Sequence, residues 1–192
     1  MKTVQGVGIN DYVGKIYING EIIKSYKFWA NMLCRCYNKK FQEKFTNYKG
    51  CTVCDEWLSF SNFKKWFDEN YRFDLEEKGI RLELDKDLLV KGNKIYSPRR
   101  CVFIPKKING FLTNIQKTNT SGYAGVYFDK VNNKWVAQKR DFETGKRIKI
   151  GSYNSKIKAS IKYDLYREKD VEKAKKYLKS LGYNNKVLEA LR

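Results

Sequence analysis

No histidine occurs anywhere in the 192 residues. That removes the commonest general base and the commonest nitrogen ligand for a metal together. A thiol protease is thereby excluded, because a cysteine has no histidine to activate it. Proline is also scarce, with two residues, and no low-complexity tract is present. With 42% hydrophobic and 15% aromatic residues, the chain is expected to build packed cores. No apolar run reaches membrane-spanning length. Met1-Lys2-Thr3 leads into glycine and polar residues, not the apolar stretch of a secretory signal. The expectation is a cytoplasmic protein with no membrane partner. Its five cysteines, Cys34, Cys36, Cys51, Cys54 and Cys101, should then be reduced or metal-bound.

Acidic residues are in short supply. There are 21 against 40 lysines and arginines, a formal charge of +19. Residues 106–192 hold 21 basic and 8 acidic side chains, so 13 of those 19 charges fall in the C-terminal part. A field of that sign attracts polyphosphate, and displacing its counterions makes the binding salt-dependent. Nucleic acid is the partner class this distribution points to.

The expected fold class is α+β. Residues 6–24 read as a hairpin, with Gly6-Val7-Gly8-Ile9 and Lys15-Ile16-Tyr17-Ile18 alternating and Asn19-Gly20 as a turn. Ser25 is a candidate cap for a helix whose apolar face is Trp29, Met32, Leu33 and Cys36. Ser59 is a candidate cap for another, lined by Phe60, Phe63, Trp66 and Phe67, aromatics that helical spacing explains as core. Two strands are predicted over 81–87 and 100–104, and a helix opens after Pro105. Residues 113–122 are polar and read as a linker between segments 1–112 and 123–192. Three strands follow, at 123–129, 135–141 and 147–152, with turns at Asn132-Asn133 and Thr144-Gly145. A helix begins after Asn154 or Ser155 and carries Ile157, Ile161 and Leu165 on one stripe. A second covers 170–181, with a short one near the C-terminus.

Residues two apart in a strand share a face. Trp135 and Ala137 would face the helix, leaving Gln138 and Arg140 outward. Ile148 and Ile150 would point in, leaving Arg147 and Lys149 outward. One side is then apolar. The other carries amide, guanidinium and ammonium groups suited to base edges and phosphates in a major groove. Gly122-Tyr-Ala-Gly-Val-Tyr127, Lys134-Trp-Val-Ala137, Ile150-Gly-Ser-Tyr153, Ala159 and Tyr163-Asp164 carry a resemblance as well. Over about 50 residues the segment resembles the Apetala/ethylene-response-factor DNA-binding domain of plants, a module similar to one found in bacterial and phage nucleases. The resemblance implies a three-stranded antiparallel sheet packed on a helix, with double-stranded DNA contacts at Tyr127, Gln138, Arg140, Arg147 and Lys149; Lys139 is a further cation expected to carry DNA affinity. Ala124 and Tyr127 stand where the family has arginines, and Lys149 where it has tryptophan, so base preference does not carry over.

Leu84-Asp85-Lys86-Asp87, Gly92-Asn93 and Arg100-Cys-Val-Phe-Ile-Pro-Lys-Lys-Ile-Asn109 resemble, over about 30 residues, the HNH ββα unit of phage homing endonucleases. Trp29-x-x-Met32-Leu33-x-Arg35-Cys36-Tyr37 and Val53-Cys54-x-Glu56-Trp57-Leu58 are similar to the N-terminal part of phage proteins of this architecture. The resemblance implies a phage or mobile-element DNA endonuclease working in a bacterial host cell. Asp85 and Asn109 would hold Mg²⁺ or Mn²⁺. Lys86 stands where the family has its base histidine, and Arg100 where it has an asparagine. Those two would stabilise the phosphate, and Asp87 would activate water. The alternative is a non-catalytic DNA-binding protein, a regulator or a factor acting on host defence, built on a degenerate nuclease scaffold. Cys34, Cys36, Cys51 and Cys54 form a candidate structural zinc set, although Cys36 is equally explained as a buried thiol.

Overall fold

A computed structural model describes residues 3–111 and 119–191. Helices and small sheets are mixed, as the α+β reading expects. The chain divides into two compact units, Met1–Pro105 and Lys106–Arg192. Among the described residues, no helix is long and apolar enough to cross a membrane. Most of the predicted linker, 113–118, lies outside the described residues. Its end, 119–122, is a bonded turn in which Asn119 Oδ1 accepts from the Ser121 and Gly122 amides at 2.8 and 3.1 Å.

The first unit is organised by aromatics at helical spacing. Helix α1 (Lys24–Tyr37) buries Trp29, Met32, Leu33 and Cys36. Helix α3 (Phe60–Asn70) buries Phe60, Phe63 and Phe67. The Trp29 indole N–H donates to the Trp57 carbonyl at 2.7 Å, which satisfies the polar edge of a fully buried ring. Phe67 stacks on Tyr71 at 4.6 Å and meets Phe103 edge-on at 5.3 Å. Burying each such ring contributes roughly 1.5–3 kcal/mol. Ser59 caps α3 as expected, its Oγ accepting from the Asn62 amide at 3.2 Å. Ser25 does not cap α1. The helix starts two residues earlier than that cap would give, after Ile23 with no side-chain cap, and Ser25 is buried in the first turn.

The predicted N-terminal hairpin is shorter than its pattern. Only β1 (Tyr17–Ile18) and β2 (Glu21–Ile22) pair, around Asn19-Gly20 with both φ positive. Val4 and Gly8 instead close a tight turn, and Ile9 bridges to Ser59. Gly8 is there because the backbone runs over α1. A Cβ at this position would sit 2.3 Å from Leu33 and 2.8 Å from Trp29. A short parallel pair, β3 (Thr52–Val53) with β5 (Ile95–Tyr96), was not legible in the alternation. Strands β4 (Leu82–Asp85) and β6 (Val102–Pro105) pair antiparallel. Helix α2 (Lys39–Lys44) and helix α4 (Phe73–Glu77) complete this unit.

In the second unit, α5 (Lys106–Phe111) precedes an antiparallel sheet ordered β7 (Val126–Asp129), β8 (Lys134–Arg140), β9 (Arg147–Tyr153). One side of the sheet packs on α6 (Lys156–Ser180) through Val126, Ala137 and Ala159, with Tyr123, Trp135, Ile150, Tyr153 and Tyr163 around them. Ser155 caps α6, its Oγ accepting from the Ile157 amide at 3.2 Å. The two helices predicted over this stretch are one continuous helix of 25 residues. The stripe Ile157, Ile161 and Leu165 is exposed; small residues such as Ala159 and Ala174 make the buried side. Helix α7 (Asn185–Ala190) packs back on α6.

Candidate nucleic-acid interface

The outer face of the sheet follows from its register. Tyr127 pairs with Val136, and Val136 with Ser152. Gln138 pairs with Lys149, and Arg140 with Arg147. Directly opposed residues share a face, so these rungs lie on the side away from Ala137 and α6. Lys134, two residues before Val136, belongs to the same side. Tyr127, Arg140, Arg147 and Lys149 are exposed and Gln138 is half-buried. Val136, between Tyr127 and Ser152, is fully buried.

A bulge shapes this surface. Ala137 pairs with Gly151 and Gln138 with Lys149, so Ile150 is the unpaired extra residue of β9. Strict alternation from Lys149 would turn Gly151 outward and Ser152 inward. The bulge reverses both and adds Ser152 to the outer face. It also brings Gly151 to the inner side, where a Cβ would meet the Tyr153 hydroxyl at 2.5 Å. Reading the strands by period two missed Ser152 for this reason. Lys134 was within reach of the same rule; it donates to Asn154 Oδ1.

Lys139 needs correction as a DNA contact. It faces α6, where its ammonium is paired with Asp170. The side chains are 11% and 3% exposed. This cation is committed inside the unit and has no outward position to offer a phosphate. The period-two pattern already places it inward, between Gln138 and Arg140.

Acidic groups hold the ends of the face. Asp129 Oδ1 accepts from the Val131 amide at 3.1 Å and Oδ2 from the Asn132 amide nitrogen at 2.8 Å. The hydrogen bond from Asn132 is the largest influence holding its carboxyl below the usual range, and nearby Lys149 adds to it. Asp141 accepts from the Thr144 amide and hydroxyl, both at 2.8 Å, which fixes the turn that carries β8 into β9. Those backbone and hydroxyl bonds lower its pKa as well. The two arginines of the last rung are thus displayed on a hairpin whose turn is hydrogen-bonded from within.

The residues of the predicted nuclease motif are arranged differently. Asp85 ends β4, 8% exposed, and its Oδ1 accepts the amides of Asp87 at 2.9 Å and Leu88 at 2.6 Å. Burial raises its pKa, and the neighbouring Asp87 charge adds to the rise. Lys86 is buried, donating to the Asn93 carbonyl at 3.0 Å and to Asp87 Oδ2 at 3.2 Å. Asn93 is the hub. Its amide nitrogen donates to the Lys86 and Ile95 carbonyls, both at 2.7 Å, and its oxygen accepts from Arg100 at 2.8 Å. The motif residues Asp85, Lys86, Asp87 and Arg100 are therefore brought together, but as a staple across the loop between β4 and β5. Asn109 lies in α5, in the second unit.

This donor set does not fit a divalent cation. One Asp85 oxygen is engaged by two backbone amides, and a buried ammonium stands beside Asp87, where it opposes a second positive charge. Among the described residues, no three or more histidine, cysteine, aspartate or glutamate side chains gather as metal ligands. The proposed zinc set falls under the same observation. Cys34 and Cys36 are two positions apart on α1, turned about 200° from each other. Burial pushes the Cys36 and Cys101 thiols up to about 12, and raises Cys51 and Cys54 too. Cys36, Cys51 and Cys101 are buried, and Cys54 is half-buried.

Comparisons of the chain with protein-family models, with curated proteins and with solved structures give no match.

Proposed function

We propose that this protein binds double-stranded DNA through the outer face of the β7–β8–β9 sheet, and that its first unit is a scaffold derived from a nuclease fold and not a working nuclease. The register carries the first part: Gln138, Arg140, Arg147 and Lys149 stand on one exposed side, opposite the helix. A sheet of this width enters a major groove, where guanidinium groups serve guanine edges or phosphates and the Gln138 amide serves adenine. Tyr127, Lys134 and Ser152 extend the same surface. The second part is supported by the staple of Lys86, Asn93 and Arg100, which occupies the motif residues with structural bonds.

A salt titration of duplex binding tests the first part. With Lys134, Arg140, Arg147 and Lys149 at phosphates, log K should fall against log salt with a slope of roughly −3 to −4. Binding to duplex that is weak at low salt and insensitive to salt overturns it. Incubation with supercoiled plasmid and Mg²⁺ or Mn²⁺ tests the second. Metal-dependent nicking that disappears in Asp85→Ala would restore the endonuclease reading.

A further inference from the structure

The long helix α6 carries a second concentration of charge that the sheet face does not use. Lys158, Lys162, Lys169, Lys173 and Lys176 are all exposed. At 3.6 residues per turn they fall within about 60° of arc and run for about 27 Å along the axis. The intervals from Lys158 to Lys169 and from Lys162 to Lys173 are equal, so the row stays parallel to the helix. It lies off the side of α6 that is buried by Ala159, Asp170, Val171, Ala174 and Leu178. The DNA face is on the other side of the sheet.

The exposed acids of this helix stand off the strip, on a flank they share with Lys175 and Lys179. Asp164, Glu168 and Glu172 fall on the opposite flank of the exposed surface. Of the five lysines only Lys173 has an acid within 4 Å among the described residues: Glu143, at 3.8 Å and well exposed. Pairing lysines with acids four residues away stabilises an isolated helix; along the strip only Lys176 has such an acid, Glu172, whose Oε1 accepts from Lys175 instead at 3.1 Å. Unpaired like charges repel, and a polyanion relieves that repulsion. The exposed row Ile157, Ile161, Leu165 accompanies only the first half of the strip. Its full length is therefore matched by charge alone, which suits a phosphate backbone better than an amphipathic protein segment.

We infer that the lysine strip of α6 binds the backbone of a second DNA duplex, so that one chain can bridge two segments. The inference rests on the sheet face holding the first duplex. The test uses the full chain, a duplex on beads and a second, fluorescent duplex in solution, at low salt. Wild type should retain the second duplex. The variant with all five lysines changed to glutamine should bind single duplex within about threefold of wild type and lose at least about tenfold in bridging. Arg140→Ala/Arg147→Ala should lose single-duplex binding and, with it, bridging. Persistent bridging by the glutamine variant, as a dimer joined through another surface would give, overturns the inference. So does a wild type that binds one duplex but never retains a second, the result expected if an acidic protein occupies the strip. A wild type that binds no duplex at all defeats the proposed function instead.

Discussion

Arg140 and Arg147 lie directly opposite each other on the outer face of the β8–β9 hairpin, both exposed. Like charges at such positions destabilise a sheet, so the pair costs the free protein something and gains most when an anion lies between them. Arg140→Ala/Arg147→Ala should lower duplex affinity at least tenfold, at about 1–3 kcal/mol for each guanidinium removed. The salt slope should become shallower by about two. The melting temperature should stay level or rise slightly. Loss of affinity accompanied by a large fall in melting temperature would instead make the arginines structural.

Lys139, one residue away, should behave in the opposite sense. Its pairing with Asp170 Oδ2 is nearly closed to solvent, and among the described residues Asp170 Oδ1 has no hydrogen-bond partner. Lys139→Met leaves a buried carboxylate uncompensated and should cost about 3–5 kcal/mol. Lys139→Met/Asp170→Leu should recover most of that. Urea unfolding of the three proteins measures it. The double variant should bind duplex like wild type, because neither group faces the DNA side.

The contrast between these neighbours shows what was legible in the sequence. Trp135, Ala137, Gln138 and Arg140 announce their faces by period two, and the apolar positions of α1 and α3 by helical period. Two local events escape any periodicity. The bulge at Ile150 changes which face Ser152 joins, and the Gly8 turn replaces a strand because the backbone passes too close to Trp29 for a side chain. Helix α6 misled for a different reason: the bulky apolar residues of its first turns, Ile157, Ile161 and Leu165, are outside, while Ala159 lets the sheet approach closely. The Asn93 staple depends on bonds across a loop, which no spacing encodes. Lys86, Asp85 and Arg100 match a motif by position, and that match gave no sign of the bonds they make to Asn93 and to the Asp87 and Leu88 amides.

Asp85 offers a pH test of that staple. Its folded pKa is raised above the unfolded value, chiefly by burial. The fold therefore holds the proton more tightly than the unfolded chain does. The resulting stability is present below the unfolded pKa, and it is lost as pH rises through the higher folded one. Asp85→Asn keeps an oxygen to accept the Asp87 and Leu88 amides without the charge. At neutral pH this variant should be as stable as wild type or more so, and the difference should vanish near pH 4, about the unfolded aspartate value. Thermal melts across that range decide it. A variant markedly less stable at neutral pH would mean that the ionised carboxylate has a partner worth more than its burial costs.

Gly125 provides a test confined to the second unit. Its φ is +65°, and a Cβ there would lie 2.1 Å from the Tyr163 ring and 2.5 Å from the Gln138 carbonyl oxygen. The Gly125 carbonyl accepts from the Gln138 amide at 2.8 Å, which ties the start of β7 to β8 where the outer face begins. Gly125→Ala meets both an unfavourable backbone conformation and a collision, and the backbone oxygen is the less able of the two neighbours to yield. The expected cost is about 2–4 kcal/mol. Amide hydrogen exchange should show protection falling across β7, β8 and the first turns of α6 while α1 and α3 keep theirs, because each unit has its own core. Duplex affinity should fall with the population of folded sheet and recover at lower temperature. An alanine variant that keeps its exchange protection would show that Tyr163 can move aside, and that the close approach of strand to helix is not what holds the DNA face in shape.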